Sequence, residues 1–265
     1  MGSVNSMRNL IEVRGLTVHD KYFQTLVEKV DLDIKAQKVN VLIGESGSGK
    51  SITAKALIQS LPNQVEATFQ QYTYEGKPIH NVTSLLGKHI GYITQDYTHS
   101  FNDHMKLGKQ LVAIYRQHFK VSKQEAKERV LQALRWVELG EVEVMKRYRF
   151  ALSGGQLERV LIASVLMLEP ELIIADEPTS SLDAITGHRI MDLIKHLADK
   201  HDVTLLVITH NLTHVERFSD YISVIRKGQI VDQGDLTYFK TGKIHPYSQA
   251  LFDKRTKLKQ GDVND

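Results

Sequence analysis

The segment Gly44–Ser51 constrains this chain most, because it has the form G-x-x-x-x-G-K-S. An apolar run at residues 39–43 precedes it and a helical pattern at residues 52–58 follows it, which is the strand–loop–helix setting that this motif requires. Glycines let such a loop approach a phosphate closely, and its N–H groups and the helix N-terminus point at the anion. We expect Lys50 to reach the β- and γ-phosphates and Ser51 to ligate Mg²⁺. The segment therefore predicts a nucleoside triphosphate site, rather than a Gly/Ser-rich surface turn, formed by Gly44, Glu45, Ser46, Gly47, Ser48, Gly49, Lys50 and Ser51.

Composition excludes several other kinds of protein. The 265 residues are 42% hydrophobic, which is enough for one large or two small packed units. Lysine and arginine number 34 against 31 aspartate and glutamate, so the chain lacks the strongly basic character of a nucleic-acid binder. Without cysteine there is no disulfide, thiolate nucleophile, iron–sulfur cluster or cysteine-based zinc site. No run reaches the roughly 18 apolar residues expected of a membrane-spanning helix.

Two aromatic residues stand between the first predicted strands. Residues 9–18 and 27–35 alternate apolar and polar side chains and predict two antiparallel strands. Tyr22 and Phe23 lie between them, and either ring can stack on a purine base. The alternative is a partly exposed loop aromatic that packs locally. Between the two rings, Tyr22 is the preferred candidate.

Polar side chains follow several apolar runs, where open α/β sheets bind their ligands. Residues 67–74 predict a strand with a turn at 75–76, and residues 89–94 predict another strand that ends at Gln95. Gln95 can reach Mg²⁺ or an attacking water, or is an ordinary polar strand end. The run at residues 172–175 predicts a buried strand that is followed by Asp176 and Glu177. We expect Asp176 to hold Mg²⁺ and Glu177 to orient or deprotonate the attacking water.

The intervening region is predicted to be helical. Apolar residues recur at helical spacing between about residues 96 and 150, with a capping pattern that begins at Ser122. Leu152–Gln156 then opens an apolar helix, and its serine and two glycines form either an anion site or a simple helix cap. Asp183 ends a loop before a helix at residues 185–199, and His210 follows a buried strand at residues 204–209. Residues 221–225 and 229–232 predict a β-hairpin.

Taken together in this order, the motifs resemble those of the ATP-binding cassette (ABC) ATPases over about residues 8–240. Gly44–Ser51 corresponds to Walker A, Leu172–Glu177 to Walker B and Leu152–Gln156 to the LSGGQ signature. Gln95, Ser180–Asp183 and His210 correspond to the Q-loop, D-loop and H-loop. The resemblance implies an α/β fold with a RecA-like P-loop core, an antiparallel β subdomain and a helical insertion. It further implies one cassette domain over residues 1–265, with the core at 8–96 and 157–240, the helical subdomain at about 97–156 and a C-terminal tail at 241–265.

The resemblance also implies a mechanism and partners. Two cassettes pack head to tail around ATP, so that Ser153, Gly154, Gly155 and Gln156 act on the nucleotide of the other subunit and Asp183 lies at the same interface. Glu177 polarises water, His210 contacts the γ-phosphate, and Ser51, Gln95 and Asp176 surround Mg²⁺. The implied partners are integral-membrane permease subunits, a second cassette that is favoured to be a paralogue over an identical copy, and indirectly an extracellular solute-binding protein. The chain then works as a peripheral protein at the cytoplasmic face of the cell membrane.

A narrower resemblance, to the ATPases of peptide and nickel importers, rests on residues 51–53, with Leu61-Pro62 after the first helix, and on two longer segments. Residues 94–105 are similar to their Q-D-P…S-L-N-P…M stretch, and His245–Leu251 is similar to their H-P-Y-T-x-A-L segment. Tyr97 and Asp103 replace prolines of that stretch, and Leu157-Glu158 replaces the common Arg-Gln. Tyr22 lies one residue closer to the following strand than the usual stacking aromatic does. The absence of a longer, cysteine-containing C-terminal extension favours the nickel branch over the peptide branch.

Two rival interpretations remain open at this point. A soluble ABC protein that acts on ribosomes or nucleic acid resembles either two cassettes in one chain or a cassette split by a long coiled coil, and neither pattern is present. A kinase or GTPase with the same phosphate loop lacks the signature at residues 152–156. Transport-coupled ATP hydrolysis is therefore the favoured function.

Overall fold

The computed structural model describes residues 8–180, 182–241 and 243–261, and the side chains of residues 141–142 and 254–261 lie outside that description. Within these limits the chain divides into two compact units. The first runs to Ser84 and resumes at Thr204, and the second is Leu85–Val203. No helix among the described residues combines the length and the apolar character needed to cross a bilayer.

The strands and helices follow one another in mixed α/β order, which confirms the predicted fold class. The strands are β1 Asn9–Asp20, β2 Thr25–Lys35, β3 Val39–Ile43, β4 Val65–Thr68, β5 Gln71–Tyr74, β6 Lys77–Pro78, β7 Ile90–Ile93, β8 Leu172–Asp176, β9 Thr204–Thr209, β10 Tyr221–Arg226 and β11 Gln229–Asp235. The helices are α1 Lys50–Leu57, α2 Leu107–His118, α3 Lys123–Trp136, α4 Glu141–Lys146, α5 Gly154–Leu166, α6 Ala184–Lys200, α7 Leu212–Phe218, α8 Leu236–Lys240 and α9 Pro246–Gly261.

The first unit contains two kinds of sheet. An antiparallel sheet has the order β2-β1-β5-β6, with β4 also paired to β1. In the other, β10, β3 and β9 are parallel and β11 is antiparallel to β10. Every residue of β3 and β9 is buried, as expected for parallel strands that are covered on both faces. The antiparallel subdomain and the parallel core expected from the sequence are therefore both present.

One segment that was predicted to be a single strand forms two strands. Residues 67–74 were expected to form a single strand, but β4 ends at Thr68 and β5 begins at Gln71. The cause lies in β1, where Gly15 has φ +61° and interrupts the register. β5 pairs with residues before this bulge and β4 with residues after it. A β-bulge bends the strand that carries it, so its partner divides at the same place.

The second unit holds the parallel pair β7 and β8 and the helices α2 to α6. Helices α2, α3 and α4 fall inside the predicted helical insertion. Helix α3 begins at the predicted cap, where Ser122 and Glu125 form a reciprocal capping box. The division of the cassette into core, helical subdomain and tail stays a prediction.

Candidate nucleotide-binding site

The phosphate loop lies between the buried strand β3 and helix α1. Gly49 caps α1 with φ +104°, and Gly47 has φ +77°, so both occupy backbone conformations that favour glycine. A Cβ atom on Gly44 would collide with the carbonyl oxygen of Ile225 and lie 2.7 Å from Ser48 Oγ. The glycines of the motif are thus required by the backbone conformation and by close packing.

Lys50 is folded back into this loop. Its side chain is buried, and Nζ donates to the carbonyl oxygens of Gly44 at 2.9 Å and of Glu45 at 2.8 Å. Ser48 Oγ is also buried and has no hydrogen-bond partner among the described residues. A buried hydroxyl without a partner, a buried ammonium group and a helix N-terminus together suit an anionic group such as a phosphate chain.

His210 is the next predicted site residue in the first unit. Strands β3 and β9 are parallel, and Ile43 is in register with Thr209. Gly44 and His210 therefore leave the same edge of the sheet side by side. His210 is exposed, and Asn211 after it caps α7 by accepting the N–H of Thr213 at 2.9 Å. The sequence therefore brings the phosphate loop and His210 together through strand register alone.

Tyr22 and Phe23 lie at the tip of the β1–β2 hairpin. Asp20 Oδ1 accepts the N–H groups of Tyr22 and Gln24, at 2.8 and 2.9 Å, and fixes the turn. Tyr22 is 76% exposed and Phe23 is 87% exposed, so neither ring packs into the protein. A Cβ on Gly49 would lie 3.3 Å from the carbonyl oxygen of Leu26, so the start of β2 borders the phosphate loop. The alternative of local packing is thereby disfavoured, while the choice between the rings stays a prediction.

The carboxyl ends of two neighbouring strands of the second unit carry Gln95, Asp176 and Glu177. Ile93 pairs with Ala175 in the parallel ladder of β7 and β8, so their polar carboxyl ends share one edge. Asp176 is buried and accepts a 3.1 Å hydrogen bond from the hydroxyl of Tyr92, whereas Gln95 is exposed. Burial, and secondarily the charge of Asp176, raises the pKa of Tyr92. Tyr92 was missed by sequence reasoning, since nothing distinguishes it from an ordinary strand tyrosine.

Glu177 follows β8 with a left-handed backbone, at φ +48°. Such a conformation is uncommon for a residue other than glycine, and it recurs at functional sites. The side chain is half-buried. The left-handed backbone distinguishes Glu177 from Asp176, which is the last residue of strand β8.

The signature opens helix α5. Ser153 is the N-cap, and its Oγ accepts the N–H of Gln156 at 3.3 Å. Gln156 Oε1 in turn accepts the N–H of Ser153 at 3.0 Å. Ser153 and Gly154 are exposed. The helix-cap interpretation is therefore correct for the folded chain, and it leaves the exposed helix N-terminus available to an anion.

The two residues that replace prolines both contact the signature region. The hydroxyl of Tyr97 lies 2.8 Å from where a Cβ on Gly154 would stand. Asp103 forms an ion pair with Arg149, which also donates to the carbonyl oxygen of Thr98. The hydrogen bond from Arg149 lowers the pKa of Asp103. The segment after Gln95 is thus held against the segment that leads into the signature, a link that the sequence did not reveal.

The D-loop also meets the signature. A Cβ on Gly155 would stand 3.4 Å from Leu182 Cδ2, which is ordinary contact distance. Asp183 caps α6 by accepting the N–H groups of Ile185 and Thr186, at 3.1 and 3.0 Å. The N–H of Thr186 is the main cause of the lowered pKa of Asp183. Ser181, in the middle of the D-loop, lies outside the described residues.

The residues predicted to surround Mg²⁺ offer a hydroxyl, an amide oxygen and a carboxylate: Ser51, Gln95 and Asp176. All three are hard oxygen donors of the kind that Mg²⁺ prefers, so the donor set fits this ion. Among the described residues, no group of three or more histidine, cysteine, aspartate or glutamate side chains is arranged to hold a metal.

Comparison with known proteins supports the same family. Residues 27–180 match the family described as ABC transporter. The chain is 50% identical over 252 residues to the nickel import system ATP-binding protein NikD of Staphylococcus aureus (strain bovine RF122 / ET3-1), a match that covers 95% of this chain and 98% of NikD.

Two solved structures share the fold. CbiO1 from Clostridium perfringens, part of the ABC transporter complex cbiONQ, aligns with a TM-score of 0.77 at 22% identity, covering 97% of this chain and 96% of CbiO1. The dimeric, post-hydrolysis ATP-binding cassette MJ0796 bound to ADP and phosphate aligns with a TM-score of 0.71 at 26% identity, covering 85% of this chain and 98% of MJ0796. The predicted cassette fold, with its P-loop core, β subdomain and helical insertion, is confirmed. The chain therefore belongs to the ABC transporter family, as an ATP-binding, ATP-hydrolysing cassette.

Proposed function

We propose that this chain is the ATPase subunit of a nickel importer. The observation that carries the proposal is the 50% identity to NikD, which extends over 95% of this chain rather than over the nucleotide motifs alone. In this proposal the nickel ion, free or chelated, is the cargo of the transporter, and ATP is the substrate of this chain. Permease subunits in the membrane and a solute-binding protein outside it select the cargo.

The hydrolytic mechanism assigns a task to each motif. The phosphate loop binds the triphosphate, and Lys50, held over the loop by the carbonyl oxygens of Gly44 and Glu45, reaches the β- and γ-phosphates. Glu177 orients the attacking water and accepts its proton, and His210 donates a hydrogen bond to the γ-phosphate. Mg²⁺, held by Ser51, Gln95 and Asp176, would supply charge neutralisation on the phosphates when bound.

The signature completes the site of a second cassette. The exposed N-terminus of α5, with Ser153, Gly154, Gly155 and Gln156, faces the phosphates bound by the partner, and Asp183 lies at the same interface. A dimer of this kind encloses two nucleotides, which excludes water and strengthens the electrostatic contacts to the transferred group. The partner is a paralogous cassette or a second copy of this chain, and Tyr22 stacks on the adenine.

We assign the permease contact to a groove on the helical part of the second unit. Helices α2, α3 and α4 line a cavity of about 610 Å³ there. Its lining combines apolar side chains with the basic residues Lys109, Arg116, Lys123, Lys127 and Lys146. Such a groove suits an amphipathic segment that carries acidic groups, because its apolar face is buried while its charges pair at the rim. This contact holds the chain at the cytoplasmic face of the membrane.

The groove is tested by charge reversal. Arg116→Glu with Lys127→Glu should release the chain from membranes that contain its permease, and Lys195→Glu on α6 is the control that leaves the groove intact. Equal sedimentation of both variants with those membranes would contradict this assignment of the contact.

Uptake of labelled nickel tests the function. Cells that carry Glu177→Gln should lose uptake, while cells with the surface control Glu128→Gln should match wild type. In wild-type cells and both variants, uptake is measured separately for a labelled short peptide, for labelled nickel alone and for labelled nickel with a chelator. Loss of peptide uptake instead of nickel uptake would move the chain to the peptide branch, and unchanged uptake of both would reject the importer assignment.

A further inference from the structure

A tyrosine far along the chain binds the phosphate loop. The hydroxyl of Tyr247, in the first turn of α9, accepts the backbone N–H of Glu45 at 3.1 Å. That N–H belongs to the peptide group between Gly44 and Glu45. The carbonyl oxygen of the same peptide group accepts Lys50 Nζ at 2.9 Å. One planar peptide group is therefore held at one end by Lys50 and at the other by Tyr247.

The segment around Tyr247 is anchored to the sheet. Asp232 of β11 is buried, and its Oδ2 accepts Ser248 Oγ at 2.5 Å and the N–H of His245 at 2.7 Å. Its Oδ1 accepts the hydroxyl of Tyr238 at 2.7 Å. Ser248 has no exposed surface. These bonds hold residues on both sides of Tyr247 in the sequence, so they fix the position of the Tyr247 backbone.

The ring itself is also held. The guanidinium group of Arg226, at the end of β10, lies 4.8 Å from the centroid of the Tyr247 ring. Strand β10 is the parallel neighbour of β3, which leads into the phosphate loop. The arginine and the loop therefore leave the same edge of the sheet, and the tyrosine bridges them. A ring fixed on its face and at its backbone can aim its hydroxyl with little entropic cost on binding.

We infer that Tyr247 is a positioning residue for ATP binding, which acts on the phosphates through the Gly44–Glu45 peptide group. The inference rests on the proposed role of this loop as the phosphate site. The N–H and C=O of a trans peptide point in opposite directions, so the hydroxyl prevents this group from rotating. Hydrogen bonds in a chain polarise one another, so the same contact strengthens the carbonyl that holds Lys50. The ammonium group of Lys50 is thereby held in one position in the loop that binds the triphosphate.

The test is the affinity for ATP. Tyr247→Phe removes one oxygen atom and keeps the ring over Arg226. Loss of one hydrogen bond of ordinary strength weakens binding by about threefold to tenfold. We expect the Kd for ATP to rise by this factor, while turnover at saturating ATP and the thermal unfolding midpoint stay close to wild type. A merely structural tyrosine would instead lower the unfolding midpoint.

Tyr238→Phe is the matched control. It removes a hydroxyl from the same Asp232 network, but Tyr238 does not touch the phosphate loop in the described contacts. The Kd of this variant should equal that of wild type. An equal rise in both variants would show that anchoring of the segment matters and the Tyr247 hydroxyl does not, which would overturn the inference.

Lys50→Ala separates this inference from the proposed function. Wild-type protein that binds no ATP, or binds it as Lys50→Ala does, would reject the phosphate site itself. Wild-type protein that binds ATP more tightly than Lys50→Ala, but no more tightly than Tyr247→Phe, would reject the role of Tyr247 alone.

Discussion

Ser153 and Gln156 form a reciprocal capping box at the start of the signature helix, with hydrogen bonds of 3.3 and 3.0 Å. Ser122 and Glu125 form the same arrangement at the start of α3, with distances of 3.2 and 2.8 Å. Both boxes satisfy backbone N–H groups that a helix leaves unpaired at its first turn. One capping box thus lies within the signature and one lies outside it, so comparing them separates helix capping from nucleotide chemistry.

Ser153→Ala and Ser122→Ala should destabilise the protein by similar amounts. Loss of an N-cap serine costs about 0.5–2 kcal/mol in the free energy of unfolding. Only Ser153→Ala should also reduce ATP hydrolysis, by at least about tenfold, because only that hydroxyl is proposed to meet a nucleotide across the dimer. Urea unfolding and phosphate release measure the two effects. A similar loss of hydrolysis in Ser122→Ala would show that the signature serine acts as a cap and no more.

Glu177→Gln should abolish hydrolysis while ATP binding persists. Glutamine keeps the size of the side chain and its hydrogen-bonding capacity, but it does not accept a proton from water. General-base catalysis contributes roughly a hundredfold to ten-thousandfold, so phosphate release should fall by at least a hundredfold. The trapped ATP should also favour the dimer, which sedimentation velocity detects. Glu128→Gln, on the exposed face of α3, should behave as wild type, and near-normal hydrolysis in Glu177→Gln would remove this residue from the role of base.

Tyr22→Ala should weaken ATP binding more than Phe23→Ala does. Stacking of a base on an aromatic ring contributes about 1–3 kcal/mol, and both rings are exposed at the same hairpin tip. Phe23, whose aromatic ring has the same size, is therefore a natural control. The measurement is the difference in Kd between ATP and inorganic triphosphate, which lacks the base. A larger effect in Phe23→Ala would assign the stacking to the other ring.

The sequence predicted those parts of the fold and site that depend on local pattern. The buried strands, the phosphate loop and the cap at Ser122 each follow from periodicity or from residue types at fixed spacing. The adjacency of Gly44 and His210 followed once parallel strands were assumed, because the carboxyl ends of such strands share an edge.

Contacts between residues distant in the chain could not be predicted in this way. The bond between Tyr247 and Glu45 joins residues 202 positions apart, and the pair Asp103–Arg149 joins residues 46 apart. Neither has a periodic pattern, and each side chain taken alone is an ordinary surface residue. The split of residues 67–74 into two strands was hidden for a related reason, because its cause is the bulge at Gly15 in another strand.

The ion pair between Asp103 and Arg149 should make a pH-dependent contribution to stability. The hydrogen bond from Arg149 lowers the pKa of Asp103 in the folded state below its value in the unfolded chain. A carboxylate of this kind stabilises the fold fully at pH values above its unfolded pKa of about 3.9, and the contribution is lost as the pH falls through the lower, folded value. Asp103→Asn should therefore be less stable than wild type at pH 6, and the difference in free energy of unfolding should shrink on acidification below about pH 4.

In an Arg149→Gln background, Asp103→Asn should have little effect on the free energy of unfolding at either pH. Urea titrations of wild type, the two single variants and the double variant, at pH 6 and below about pH 4, measure this coupling. An unchanged effect of Asp103→Asn in the Arg149→Gln background would show that another group lowers the pKa of Asp103.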